Sequence, residues 1–418
     1  MRTAIVGSLF PVLIGIVCLC SGCTELYVIF GPGGFFPAST SGTTSSTTSQ
    51  PAAIAGPSFS SRQLDPVNET TAGARVIVVA DMNRDGRNDF VSGSAENQPV
   101  QLHLRNATGT DYTTFSIAGG APISTMYDVA TADFDGDGLL DVAVLVNDTG
   151  FVPVSSTAQK RGAVVLLFAP ASTADALSWQ QVTLTATFIL PNDSAGLTEF
   201  SIADMDGVNG PDIVVASNEV TMGAVTATHH VYLFRNPGGA AARGGGAWLG
   251  TTAPLDSDVP AVKALDLADI DRDGDLDVVV SYPSAKSSNI RWLVNPLVES
   301  GLAAAIAGGW VDRIVGEQRQ LTQPGDVQSP GADFLAVADI DGDGDADVAS
   351  AHVSLRLVQW FENPGVGIVN QQNFPWRVFN IGQLTSTSAA INQIQLVDLN
   401  LDGLQDLFLT ASGNMVGF

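Results

Sequence analysis

The sequence predicts an all-β protein, a β-propeller of six four-stranded blades. Three observations carry that prediction: a nine-residue aspartate motif recurs six times, apolar β-branched runs flank the copies, and two further strand-like segments follow at repeating places. The copies are DMNRDGRND (Asp81 to Asp89), DFDGDGLLD (Asp133 to Asp141), DMDGVNGPD (Asp204 to Asp212), DIDRDGDLD (Asp269 to Asp277), DIDGDGDAD (Asp339 to Asp347) and DLNLDGLQD (Asp398 to Asp406). Their starts define a unit of roughly 60 residues.

Runs such as VIVVA or ALDLA before the motif, and DVVVS or DIVVAS after it, read as two strands joined by a tight polar loop, a β-hairpin. A third segment comes next: VQLHLRN (Val100 to Asn106), VVLLFAP (Val164 to Pro170), VYLFRNPGG (Val231 to Gly239), IRWLVNP (Ile290 to Pro296) and VQWFENPG (Val358 to Gly365). Apolar alternation marks the strand, and Asn-Pro-Gly marks the turn that ends it. A fourth segment opens on an aromatic residue, as in YTTFSIAG, WQQVTL, WLGTTA, WVDRIVG and WRVFNIG. After the last motif, LFLTASGNMVGF supplies a second and a third strand but no fourth. FSSRQL (Phe59 to Leu64) resembles the fourth-strand segments, so N- and C-terminal strands are expected to share a blade and leave no free sheet edge.

The aspartates pose a problem of self-repulsion. Two carboxylates 4 Å apart repel by about 1 kcal/mol in water and about 4 kcal/mol at an effective dielectric near 20, so an empty loop of four is strained, takes up protons or opens, and a divalent ion reverses the sign. Carboxylates at alternating positions wrap a calcium ion, with glycine at position 6 allowing the turn. The expected ligands occupy positions 1, 3, 5 and 9. They are Asp81, Asn83, Asp85 and Asp89; Asp133, Asp135, Asp137 and Asp141; Asp204, Asp206 and Asp212; Asp269, Asp271, Asp273 and Asp277; Asp339, Asp341, Asp343 and Asp347; Asp398, Asn400, Asp402 and Asp406. Asp345, at position 7, is expected to face solvent. Asn83 and Asn400 lower the charge of their loops, and Asp204 to Asp212 is the poorest copy because Val208 stands at position 5 and Asn209 at the glycine position. The expectation is five or six bound Ca²⁺.

The N-terminus, MRTAIVGSLFPVLIGIVCLCSGC, has a positive end at Arg2, an apolar run and small residues before Cys23, and reads as an export signal over residues 1–22. It resembles a bacterial lipoprotein signal, which would make Cys23 the lipid-bearing residue. In that motif Leu usually stands where this chain has Cys20, and an ordinary secretion signal or a retained anchor remain as alternatives. Residues 23–58, with the Ser/Thr/Pro-rich run Ala38 to Ser58, read as a tether, and LYVIFGPGGFFP within them reads either as a strand or as a lipid-facing patch. All three cysteines fall inside the signal region, so the propeller domain, residues 59–418, has no disulfide framework.

The 418 residues are 45% hydrophobic and 15% charged, with a formal net charge of −25, which describes a globular chain that repels nucleic acid and anionic lipid. The pattern VADxDGDGxxDVVVAS followed by WFENPG resembles the FG-GAP or VCBS repeat family. That resemblance implies an integrin-α-like β-propeller, in which seven blades is the alternative to six, and a calcium-binding loop in each repeat. It also implies protein or glycan ligands.

A search for chemistry adds little. His103, His229, His230 and His352 form neither HExxH nor a zinc spacing, and neither a nucleophile elbow nor a Walker loop is present. His103 reads as a packed strand residue. The connections Asn147 to Gly162 and Ser217 to His230 are longer than their counterparts and emerge opposite the calcium loops. The reading is a non-catalytic, calcium-stabilised adhesion or ligand-binding module, monomeric, exported and tethered to a membrane only through lipid. A calcium-dependent polysaccharide-degrading enzyme and a purely structural surface protein are the alternatives.

Overall fold

The computed structural model describes residues 25–29, 74–94, 99–108, 111–117, 126–148, 161–173, 178–184, 196–218, 229–245, 248–250, 255–259, 262–282, 289–307, 310–316, 332–353, 355–365, 367, 369, 376–383, 390–398 and 403–412. They form an all-β structure of antiparallel sheets that follow one another in chain order. Strand β1 (Glu25–Ile29) stands apart from this order. The first sheet is β2 (Ala74–Ala80), β3 (Asp89–Ser94), β4 (Gln101–Arg105) and β5 (Tyr112–Ser116). The second is β6 (Met126–Ala132), β7 (Asp141–Asp148), β8 (Arg161–Phe168) and β9 (Gln180–Leu184). The third holds β10 (Gly196–Ala203), β11 (Asp212–Asn218), β12 (His229–Arg235) and β13 (Leu249–Gly250), with β14 (Asp256–Val259) also pairing β12. Then come β15 (Ala264–Ala268), β16 (Asp277–Ser281), β17 (Ile290–Val294) and β18 (Val311–Gly316). The fifth sheet is β19 (Phe334–Ala338), β20 (Asp347–His352), β21 (Leu357–Glu362) and β22 (Arg377–Gln383), and the sixth has β23 (Ala390–Val397) and β24 (Asp406–Ser412). Short helices α1 (Gly239–Ala242), α2 (Leu297–Ser300) and α3 (Leu302–Ala307) lie between third and fourth strands. Among the described residues no helix is long and apolar enough to cross a membrane.

The four recurring segments of the first five repeats thus become four antiparallel strands, with the aspartate loops joining the first to the second. Strand β1 pairs antiparallel with β24, Glu25 opposite Ala411 and Ile29 opposite Leu407. An N-terminal strand does join the last sheet, but it comes from the head of the segment read as a tether. Phe59 to Leu64, the segment expected in that place, lies outside the described residues.

The apolar runs are continuous because both faces of the second to fifth sheets are buried. In β7, Val142, Val144 and Val146 enter a core shared with the first sheet, while Ala143 and Leu145 enter a core shared with the third. Strand β16 repeats the division, Val278 and Val280 facing back and Val279 facing forward. Period-two alternation therefore sorts residues between two interfaces rather than between core and water. Five such clusters lie between the six successive sheets, and the first strands of neighbouring sheets pack side by side.

The residue at motif position 2 plugs each interface. Met82, Phe134, Met205, Ile270 and Ile340 are all within 6% of full burial. The carbonyl of this residue is bound by the sheet that follows: Asn236 Nδ2 donates to Phe134 O at 2.8 Å, Asn295 to Met205 O at 2.9 Å and Asn363 to Ile270 O at 3.0 Å. The same amide donates within its own sheet to Pro211 O, Leu276 O and Ala346 O respectively, and its Oδ1 accepts from Gly238, Leu297 and Gly365. These asparagines are at most 3% exposed. The Asn-Pro-Gly signal is therefore more than a turn; it is a clamp between sheets.

Tryptophans opening the fourth strands are structural too. Trp179, Trp248 and Trp310 are buried and donate Nε1–H to Thr173 O, Ala242 O and Ala305 O, closing the connection before the strand. His103 is packed as expected, stacked on Phe90 with ring centroids 4.1 Å apart and held by Ser92 and Thr114.

Replacing Asn295 or Asn363 with Ala leaves two buried carbonyls without a donor, and should lower unfolding stability by about 1–3 kcal/mol in urea titrations. Replacing exposed Val298, close by on α2, should change it by less than about 0.5 kcal/mol.

Candidate metal centre

Each aspartate loop is organised by two carboxylates that collect backbone amides. Position 1 closes the loop on itself. Asp81 accepts from Asp85 N at 3.0 Å and Gly86 N at 2.8 Å, Asp269 from Asp273 N and Gly274 N at 3.1 Å each, and Asp339 from Gly342 N and Gly344 N at 2.7 and 3.0 Å. Such folding requires left-handed backbone at position 6, where Gly86, Gly138, Gly274, Gly344 and Gly403 have φ between 80° and 103°. Asn209, with φ 67°, takes that place in the third sheet, which its short amide tolerates. Position 4 is left-handed as well, and Arg84 and Arg272 adopt φ 59° and 60° there.

Position 9 ties the loop to the sheet. Asp89, Asp141, Asp212, Asp277 and Asp347 are at most 1% exposed. One oxygen accepts the position-2 amide, from Met82, Phe134, Met205, Ile270 and Ile340 at 2.9–3.2 Å. The other accepts the amide just past the third strand, from Arg105, Ala169, Asn236, Asn295 and Asn363; Arg105 is the last residue of its strand, and every distance is 2.7 Å. Position 9 is thus a staple first, with lone pairs left over for an ion.

Three loops gather carboxylate oxygens of positions 1, 3 and 9 within 4.8 Å of one another: Asp133, Asp135 and Asp141; Asp204, Asp206 and Asp212; Asp339, Asp341 and Asp347. The fourth sheet gathers positions 1, 3 and 5 instead, Asp269, Asp271 and Asp273. These clusters could hold metal ions. Asp204 to Asp212, the poorest copy by sequence, still brings its three carboxylates together. In the last loop Asp398 accepts from Gly403 N at 2.9 Å and Asp406 is buried, while Asn400 and Asp402 lie outside the described residues.

Arginines enter this field, and the sequence did not announce them. Arg243, following α1 in the third sheet, reaches the second sheet's loop, where it pairs with Asp135, with Asp137 at 3.1 Å and with Ala169 O at 3.2 Å. Arg235 pairs with Asp206, and Arg87 with Asp85. Asp345 corrects an expectation. It is only 8% exposed, and it accepts Arg272 Nη1 at 3.0 Å from the preceding loop, so the aspartate read as facing solvent is an ion-pair partner between sheets. Sequence reasoning missed these partners because 106 to 108 residues separate Arg243 from its aspartates.

Burial dominates the acid–base behaviour of the staples. Desolvation pushes Asp141, Asp212 and Asp347 up to about 7 and Asp277 up to about 9, against the lowering effect of their backbone donors, with neighbouring aspartates adding to the rise. The raised folded values mean that the ion-free fold favours the protonated carboxyls. The stability this confers is complete below the unfolded carboxyl range near 4 and is lost as pH climbs through 7 and on to 9. In chelator, the melting temperature should therefore fall between pH 5 and pH 9 by more than in a variant carrying Asp277→Asn. A flat profile in the parent protein contradicts that account.

Comparison with known proteins agrees with the repeat pattern. Residues 58–144 match the family model described as FG-GAP-like repeat. No curated protein matches the chain. Among solved structures, the chain is similar to one titled "Structure of Dos1 propeller", at 12% identity and a TM-score of 0.40, over 78% of this chain and 74% of that one. That match spans the first two aspartate loops.

Proposed function

We propose that this chain is an exported, calcium-stabilised β-propeller of six blades whose role is to bind a protein or glycan ligand without turning it over. The observation that carries the calcium reading is the gathering of three carboxylates in the loops of four successive sheets. Calcium fits this donor set better than magnesium, because it accepts six to eight oxygens in flexible geometry and does not insist on keeping its waters. The ligands are those at positions 1, 3, 5 and 9, with the amide oxygens of Asn83 and Asn400 replacing carboxylates in the first and last loops.

The proposed ring closes through a blade that the two ends of the chain share. The pairing of β1 with β24 supports an N-terminal strand in the last blade. Lipidation of Cys23 would then hold that blade two residues from the membrane surface. The ligand surface is placed on the face away from the calcium loops, at Asn147 to Gly162 and Ser217 to His230, most of which lies outside the described residues.

One site held at a hundred times its Kd adds about 2.7 kcal/mol to stability. Melting in millimolar Ca²⁺ should accordingly exceed melting in EDTA by roughly 5 °C or more, and equal midpoints would remove the metal from the structure. A glycan-array and depolymerisation screen, with and without chelator, separates the functional readings. Saturable binding alone supports the module; release of cleaved sugar replaces it with an enzyme.

A further inference from the structure

A second set of carboxylates meets in the fourth sheet, sharing only position 5 with the nine-residue pattern. Asp273, Asp275 and Glu299 each bring an oxygen within 4.8 Å of the others. Glu299 belongs to α2, on the connection after the third strand, so it comes from a different segment than the loop. Asp275 is 6% exposed; its Oδ2 accepts Val298 N at 2.9 Å, and its Oδ1 is buried with no hydrogen-bond donor. Asp273 Oδ1 accepts Asp275 N at 3.0 Å, and its Oδ2 is likewise buried with no donor.

The neighbouring sheet shows what this position demands. Asp345 is the position-7 counterpart of Asp275, and it meets the guanidinium of Arg272, sent from position 4 of the preceding loop. Ahead of Asp275, position 4 of the preceding loop is Gly207, which has no side chain to send. Where Asp345 in the fifth sheet receives a cation, Asp275 in the fourth meets a third carboxylate. Two buried oxygens without donors and a third carboxylate within such reach repel one another when ionised, and a cation among them reverses that repulsion.

We infer that Asp273, Asp275 and Glu299 form a second divalent-cation site in the fourth sheet, adjoining the loop site of Asp269, Asp271 and Asp273 and sharing Asp273 with it as a bridging carboxylate. An all-carboxylate donor set, partly open to water at Glu299, selects a hard cation, and Ca²⁺ is the ion to test. The inference touches the loop reading only through Asp273.

Calorimetric titration of the full chain with Ca²⁺ tests it, comparing the parent with Glu299→Gln, Asp275→Asn and Asp271→Asn. Glu299 is exposed, so its substitution leaves the fold intact. E299Q should lose one binding step, or weaken it at least tenfold, with the remaining steps unchanged. In chelator E299Q should melt above the parent, because one of the repelling charges is gone. Titrations of E299Q and the parent that superimpose, while D271N loses a step, overturn this site and leave the loop reading standing. A parent chain that takes up no Ca²⁺ overturns both.

Discussion

The carboxylate at motif position 9 is the interaction on which the rest of this structure depends. It is fully buried, yet it sits among apolar side chains because each oxygen is met by a backbone amide, one from the loop and one from just past the third strand. A buried charge without donors would cost several kcal/mol, and these donors are main-chain groups that would themselves be orphaned without it. The same residue that gives the loop amide, at position 2, gives its carbonyl to the asparagine of the next sheet and its side chain to the interface between them. Loop shape, strand ending and packing of neighbouring sheets are one connected unit.

Concentrating acids at one end of every sheet creates a charge problem that the chain solves in two ways. Some loops receive a guanidinium. Arg243 reaches the second loop, Arg235 the third and Arg272 the position-7 aspartate of the fifth. Asp273 and Asp275 each keep one buried oxygen with no hydrogen-bond donor, and there the demand for a cation falls on the solvent. An arginine on a carboxylate and a metal on the same carboxylate compete, so the loops are not equivalent even where their motifs are. The second loop has carboxylates at all four ligand positions, as the fourth and fifth loops do, yet Arg243 already sits on two of them, Asp135 and Asp137.

Much of this was legible in the chain. The spacing of VIVVA, the aspartate motif, DVVVS and the aromatic-led fourth segment marked strand order because each reports a local requirement: β-branched packing, a tight polar turn, an indole that caps its own connection. Long-range pairings were not legible. Asn295 reads locally as a turn former, and only the structure shows its amide on Met205, 90 residues away. Asp345 reads as surplus charge because its partner, Arg272, lies in another repeat. Glu199 and Asp266 are similar cases. They look like stray acids in apolar strands, yet each accepts a backbone amide from the first strand of the following sheet, Leu265 at 2.8 Å and Val337 at 2.9 Å. A repeat period shows what every unit has in common, and these contacts are what one unit does to the next.

That directionality has a consequence for cation binding. The carbonyl of Phe134, in the second loop, is fixed by Asn236 of the third sheet, and the carboxylates of the same loop are touched by Arg243 of the third sheet. Ile270, in the fourth loop, is fixed by Asn363 of the fifth. A loop's geometry is therefore completed by its successor, and an ion bound in it stabilises the seam between two sheets as much as its own hairpin. If the loops hold ions as proposed, occupancy at one would favour the packed arrangement that its neighbour also requires, which would couple the sites through the interfaces. The second sheet lacks the asparagine at the end of its third strand and has Ala169 there, so its seam with the first sheet has no side-chain clamp from that position. That seam is held instead by apolar packing around Met82, Met126 and Val142 and by the Arg84 side chain, which lies from the first loop against Gly138 of the second.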